Sequence, residues 1–138
     1  MLGGKFERHP PYQPFKIKVI DHKHPSTEFM EDTWSWEDEC YYLKHLNPGI
    51  NILLAADLRT IEDEGKDLYP GEVFGHYFPL AWYHQFEGGR VFYTALGHSP
   101  DHYSDPDLIK HIEGGIMWAV GDGGGPDYSN VKTNQLPR

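Results

Sequence analysis

Apolar and polar residues alternate most clearly at Phe15–Ile20, where Lys16 and Lys18 separate Phe15, Ile17 and Val19. A period of two predicts a half-exposed strand. Ile50–Ala56 is instead continuously apolar and follows the turn signal Asn47-Pro48-Gly49, so it reads as a buried strand. Leu80–Phe86 and Arg90–Leu96 flank Glu87-Gly88-Gly89, which is a hairpin signal. The second of these runs is rich in Val, Phe, Tyr and Thr, as strands prefer. Asp105-Pro106-Asp107 then opens a helix with a capping acid, a first-turn proline and a second acid near the positive end of the dipole. Leu108, Ile112 and Ile116 repeat at helical spacing, with Ile109 and Ala119 widening the stripe. Gly121 is the expected C-terminal cap.

The remaining stretches are less regular. Met1–Gln13 carries Gly and Pro and predicts irregular chain, and Asp21–Glu31 predicts a loop. Thr33–Tyr42 is aromatic and acidic, and Glu39–Tyr42 predicts a strand with Glu39 and Tyr41 on one face. Leu58–Tyr77 reads as a long surface loop whose Glu62, Asp63, Glu64 and Asp67 are solvated, because no calcium-ligand spacing repeats. Gly123-Gly124-Gly125-Pro126 signals a linker. The expected organisation is one domain over 1–121 and a tail over 122–138.

Charge narrows the ligand. The chain carries 21 acids against 12 Lys and Arg, a net charge of −9. That argues against nucleic acid and against an anionic membrane surface, and it suits a neutral or cationic ligand. No apolar run is long enough to span a bilayer, and no signal peptide stands at Met1. Cys40 is the single cysteine, so neither an internal disulfide nor a cysteine metal cluster is expected. Its aromatic surroundings predict a buried, inert thiol.

Several residues could carry chemistry. His98 follows a strand-terminating glycine, where a side chain can face a cleft beyond the sheet. His9, in Glu7-Arg8-His9-Pro10, suits acid–base work on a loop. Gln13 offers an amide that pairs with hydroxyls. Glu39, with Asp38 and Tyr41 beside it, is a carboxylate among aromatics, where a raised pKa favours proton transfer. Trp36 or Tyr41 could stack on a sugar. Leu80, Trp82, His84 and Phe86 share one strand face, which is more often core than binding site. Trp82, His84 and Arg90 are nonetheless substrate-binding candidates. His84 needs a partner, with Glu39 or Arg90 in reach of the role, and Arg90 most simply pairs with an acid. A zinc site of His9, His98 and a carboxylate can be drawn from nine histidines, but no metal motif supports it, and no cofactor is expected.

The pieces Ala81-Trp82-Tyr83-His84, Gly88-Gly89-Arg90, Phe92–His98 and Gly114-Gly115-Ile116 with Trp118-Ala119 together resemble the C-terminal half of the ThuA-like (trehalose utilisation) family. Gly4-Lys5-Phe6, His9-Pro10-Pro11, Gln13-Pro14, His24-Pro25 and Trp36–Tyr42 fit the same pattern. The resemblance implies an α/β, flavodoxin-like three-layer domain related to class I glutamine amidotransferases. It implies a carbohydrate partner, either a disaccharide or a keto-sugar, processed by the domain or held by it as a non-catalytic module. In the amidotransferase relatives the region of His98 supplies the catalytic histidine. The nucleophilic cysteine belongs to an earlier strand not present in this sequence, so amidase chemistry is not implied. Residues 126–133 resemble the linker that follows such domains in exported proteins with a downstream dehydrogenase and cytochrome, which implies a periplasmic or extracellular setting. A parallel sheet with one helix leaves a face to cover, so a missing N-terminal half or a homo-oligomer is expected.

Overall fold

The computed structural model describes residues 1–65 and 74–121; the expected linker and Asp67 lie outside them. Among the described residues seven strands form two sheets, in chain order β1 (Lys5–Arg8), β2 (Gln13–Val19), β3 (Thr33–Asp38), β4 (Tyr42–Lys44), β5 (Asn51–Asp57), β6 (Tyr77–Phe86) and β7 (Gly89–Thr94). The large sheet has the order β3-β2-β5-β6-β7, and β1 pairs with β4 in a small one. The α-helix α1 (Pro106–Val120) follows. The architecture is α/β. Every pairing among the described strands is antiparallel, in place of the parallel sheet expected.

The alternation at β2 is realised: Phe15, Ile17 and Val19 are buried between outward lysines. β5 is buried from Leu53 to Ala56, as a continuous apolar run requires. Phe86 pairs with Gly89 across a two-residue turn in which Glu87 and Gly88 both have positive φ, 49° and 81°. That is the type I′ geometry that matches strand twist.

Two expectations are corrected at the ends of strands. The first segment is not irregular throughout, because Lys5–Arg8 pairs with β4. Glu39–Tyr42 is not one strand: β3 ends at Asp38 and β4 begins at Tyr42. The Asp38 carboxylate accepts the next backbone N–H, that of Glu39, at 2.8 Å. This local bond competes with the ladder and turns the chain out of it. Asp63 is likewise not a solvated acid, since both of its oxygens take the Arg8 guanidinium, at 3.2 and 2.7 Å.

Helix α1 starts and stops as expected. Asp105 accepts the N–H groups of Asp107 and Leu108, and Gly121 caps the end. Its buried face is partly the expected one: Leu108 is buried and Ile112 packs against the core, joined by His111 and Gly115, while Ile109 and Ile116 are 41% and 54% exposed. Close approach sets this rotation. A Cβ on Gly114 would collide with the backbone of Pro25 and Ser26, and one on Gly115 with the Phe92 ring. The bare faces of these two residues lie against the 21–31 loop and the sheet, so Ile109 and Ile116 turn outward. No described helix is long and apolar enough to cross a membrane.

His111 locks the same interface. Its Nδ1 lies 3.0 Å from the Ser26 carbonyl and its Nε2 lies 3.2 Å from the Thr94 hydroxyl. Burial pushes its pKa down to about 4, against the pull of the Ser26 carbonyl and with a further push from His24.

Two outcomes follow from this interface. Gly114→Ala should lower stability by about 1–3 kcal/mol in urea unfolding, although alanine favours helix; Ile116→Ala should change it little. An imidazole whose pKa is depressed by folding stabilises fully above its unfolded pKa, about 6.5. That contribution fades as pH falls towards the folded value. Urea unfolding from pH 7 to 4 should therefore lose on the order of 3 kcal/mol through this group, and His111→Gln should flatten the slope.

Candidate functional site

β3 and β7 are opposite edges of the large sheet. The chain leaving β7 runs past the start of β6, where Ala95 N–H donates to the Leu80 carbonyl, and it reaches the end of β3 at Asp38. Trp34, Trp36 and Asp38 alternate on one face of β3, and Asp38 is fully buried. Its Oδ2 accepts the Trp36 indole N–H at 3.0 Å and the Gly97 N–H at 2.9 Å. Its Oδ1 lies 2.8 Å from His98 Nδ1. Gly97 has φ +101°, a backbone state that favours glycine, and this conformation accompanies an N–H aimed at the carboxylate. Burial alone would raise the Asp38 pKa, but the Trp36, Gly97, Glu39 and His98 donors outweigh it and hold the carboxyl below its usual value.

An ionised carboxylate only accepts, so the shared proton sits on His98 Nδ1. The neutral ring then keeps its lone pair on Nε2, as in the dyads that serve as general bases. The His98 side chain is 25% exposed against 0% for Asp38, so the ring emerges from the protein while its partner does not.

Three other expected residues gather here. The Tyr41 ring lies 4.2 Å from His98 and 5.6 Å from His9, centroid to centroid. His9 Nδ1 donates to the Pro10 carbonyl at 2.8 Å, and its Nε2 stands 3.7 Å from Glu39 Oε2. Burial, the Glu39 charge and its hydrogen bond, and Asp38 all push the Tyr41 phenol up, so it stays a donor at neutral pH. The Arg8–Asp63 pair, with the guanidinium 4.9 Å over the Tyr42 ring, fixes the loop that carries His9.

The other candidates lie apart from this cluster. Gln13 binds backbone: its Oε1 accepts the Glu62 N–H at 2.7 Å and its Nε2 donates to the carbonyls of Glu62 and Pro11. Trp82 is fully buried, stacked on Tyr93, and donates to the Leu2 carbonyl. His84 is buried beside Gly3 with neither ring nitrogen hydrogen-bonded, so neither Glu39 nor Arg90 serves it. Among the described residues no acid pairs with Arg90; its Nη1 donates to the Trp118 carbonyl near the end of α1, where a cation is favoured. Trp36 packs in the core, with its indole on Asp38. Cys40 is fully buried, and burial, then the charges of Asp63 and Asp38, push its thiol up, which makes it no nucleophile. Among the described residues no three His, Cys, Asp or Glu side chains are grouped to hold a metal ion.

The sequence reading passed over two residues of the site. It placed the working carboxylate at Glu39 rather than Asp38. The signal was the period-two run Trp34, Trp36, Asp38, which puts the acid on the apolar face. It also left out His102, whose Nδ1 lies 3.6 Å from Asp38 Oδ2 and accepts the Ser99 N–H at 3.3 Å, while its Nε2 meets the Tyr12 hydroxyl at 3.0 Å.

The ThuA family, described as trehalose utilisation, matches residues 1–119. The chain belongs to this family. A ThuA-like protein from Bacteroides uniformis superposes with a TM-score of 0.67 at 18% identity, over 92% of this chain and 52% of that one. A ThuA-like protein from Parabacteroides merdae gives 0.53 at 19% identity, over 93% and 47%. The ThuA-like chain thus spans about half the length of these solved relatives, and at such identity they establish its fold. No protein of curated function matches it.

Asp38→Ala removes the acceptor from four donors, the buried Trp36 indole among them, and should cost at least about 3 kcal/mol. Because folding depresses the Asp38 pKa, its contribution is present above the ordinary carboxylate range and is lost as pH falls through the folded value. Acid unfolding of wild type and Asp38→Asn checks this: the variant should start less stable and lose less between neutral pH and pH about 3.

Proposed function

We propose that this ThuA-like domain acts on a disaccharide or keto-sugar by proton transfer, with His98 as the base. The supporting observation is the 2.8 Å contact between His98 Nδ1 and a fully buried Asp38 carboxylate. This contact orients the ring and leaves the Nε2 lone pair to take a proton. The proton would come from a sugar hydroxyl or from a carbon next to a keto group. Tyr41, held protonated, stands beside the ring, and the His9–Glu39 pair lies next to Tyr41, where they can bond the sugar oxygens. A glycosidase needs two carboxyl groups flanking the bond it breaks. Asp38 is sealed behind His98 and cannot be one of them, so proton abstraction suits the site better than that hydrolysis.

A second reading rests on the share of the relatives that the chain spans: the domain holds a sugar as one module of a larger protein and leaves turnover to another. His98→Ala and Glu39→Ala, assayed separately for turnover and binding of trehalose and its keto derivative, separate the two. The enzyme reading expects His98→Ala to lower turnover by at least about a hundredfold with binding kept. Wild-type binding without turnover would leave the module reading standing.

A further inference from the structure

Phe6 is the residue at this site whose exposure the fold does not explain. It lies on β1 opposite Leu43, yet it is 46% exposed and lies outside the core. Its ring is 4.6 Å from Tyr41 and 6.2 Å from His9. Tyr41 in turn is 4.2 Å from His98. Phe6, Tyr41 and His98 therefore run in series, ring to ring. The strand residues on either side, Lys5 and Glu7, are also exposed, and Glu7 is held by Lys44. β1 thus carries the phenyl ring at the site's edge.

A sugar ring has apolar C–H faces and a rim of hydroxyls. A flat exposed phenyl suits such a face, and the Glu39 and His9 acceptors suit the rim. The net charge of −9 favours an uncharged ligand of this kind over an anionic one. A single ring placed at His98 meets Tyr41 first; the phenyl lies beyond Tyr41.

We propose that Phe6 is the platform for the second ring of a disaccharide whose first ring sits at His98, so that Phe6 sets preference for two-ring over one-ring sugars. The proposal rests on the carbohydrate reading above. It is tested on the full chain by titrating trehalose and methyl glucoside while following the His98 and Tyr41 ring signals by NMR. Phe6→Ala, Phe6→Leu and Phe6→Trp are compared with wild type. Leucine keeps apolar bulk without a flat ring, so it separates stacking from simple packing. Trehalose affinity should fall about tenfold in the Ala and Leu variants and return in Trp, with methyl glucoside affinity unchanged throughout. Trehalose affinities within about twofold of wild type in all three variants, or an equal loss for methyl glucoside, would overturn the platform while leaving the carbohydrate reading intact. A wild type that binds neither sugar would overturn that reading, and this one with it.

Discussion

One buried carboxylate ties this fold together. Asp38 closes β3, and the backbone it grips, at Gly97, follows β7 at the opposite edge of the sheet. A charged group taken fully out of water is costly unless its lone pairs are filled. Here an indole, two backbone N–H groups and an imidazole fill them. The same four donors that make the burial tolerable also stop β3, curl the exit of β7 and aim His98. Site and scaffold are therefore the same set of bonds, and a change that harms one harms the other.

From that anchor the rest of the site follows by contact. Tyr41 lies in the short turn that Asp38 opens, and it comes to rest between the two imidazoles. His9 arrives on a separate loop, fixed by Arg8 on Asp63 and by the Gln13 clasp on Glu62. On the other flank, the polar segment after His98 leads into α1, which docks through Gly114, Gly115 and His111 rather than through Ile109 and Ile116. The result is a rigid frame carrying a half-exposed ring, an arrangement suited to binding and proton transfer.

Local patterns in the chain were legible where one physical rule governs. Alternation marked β2, the Glu87-Gly88 turn marked the hairpin, and Asp105 with Gly121 bounded the helix. The ThuA-like resemblance was legible too, and His98 and Tyr41, singled out in separate stretches, come into ring contact. What escaped was set by distant partners. Helical periodicity chose Leu108 and Ile112 rightly and Ile109 and Ile116 wrongly for the inner face, because the close approach of Pro25 and Phe92 to two glycines decided the rotation. Gln13 and Arg90 looked free to bind a substrate, yet backbone carbonyls far along the chain engage them. Asp38 escaped for a nearer reason: the Trp34, Trp36, Asp38 alternation was present, but only the strand's true end shows which acid turns inward.

The central claim is that Asp38 fixes His98 with its proton on Nδ1 and its lone pair on Nε2. Long-range nitrogen–proton NMR on protein labelled in its histidine rings reads this tautomer directly. The account predicts, above the ring's titration, a His98 signal of the Nδ1–H form with a strongly downfield ring proton that is lost in Asp38→Asn. A His98 ring protonated on Nε2, or one averaging between the two forms as free imidazole does, would contradict it.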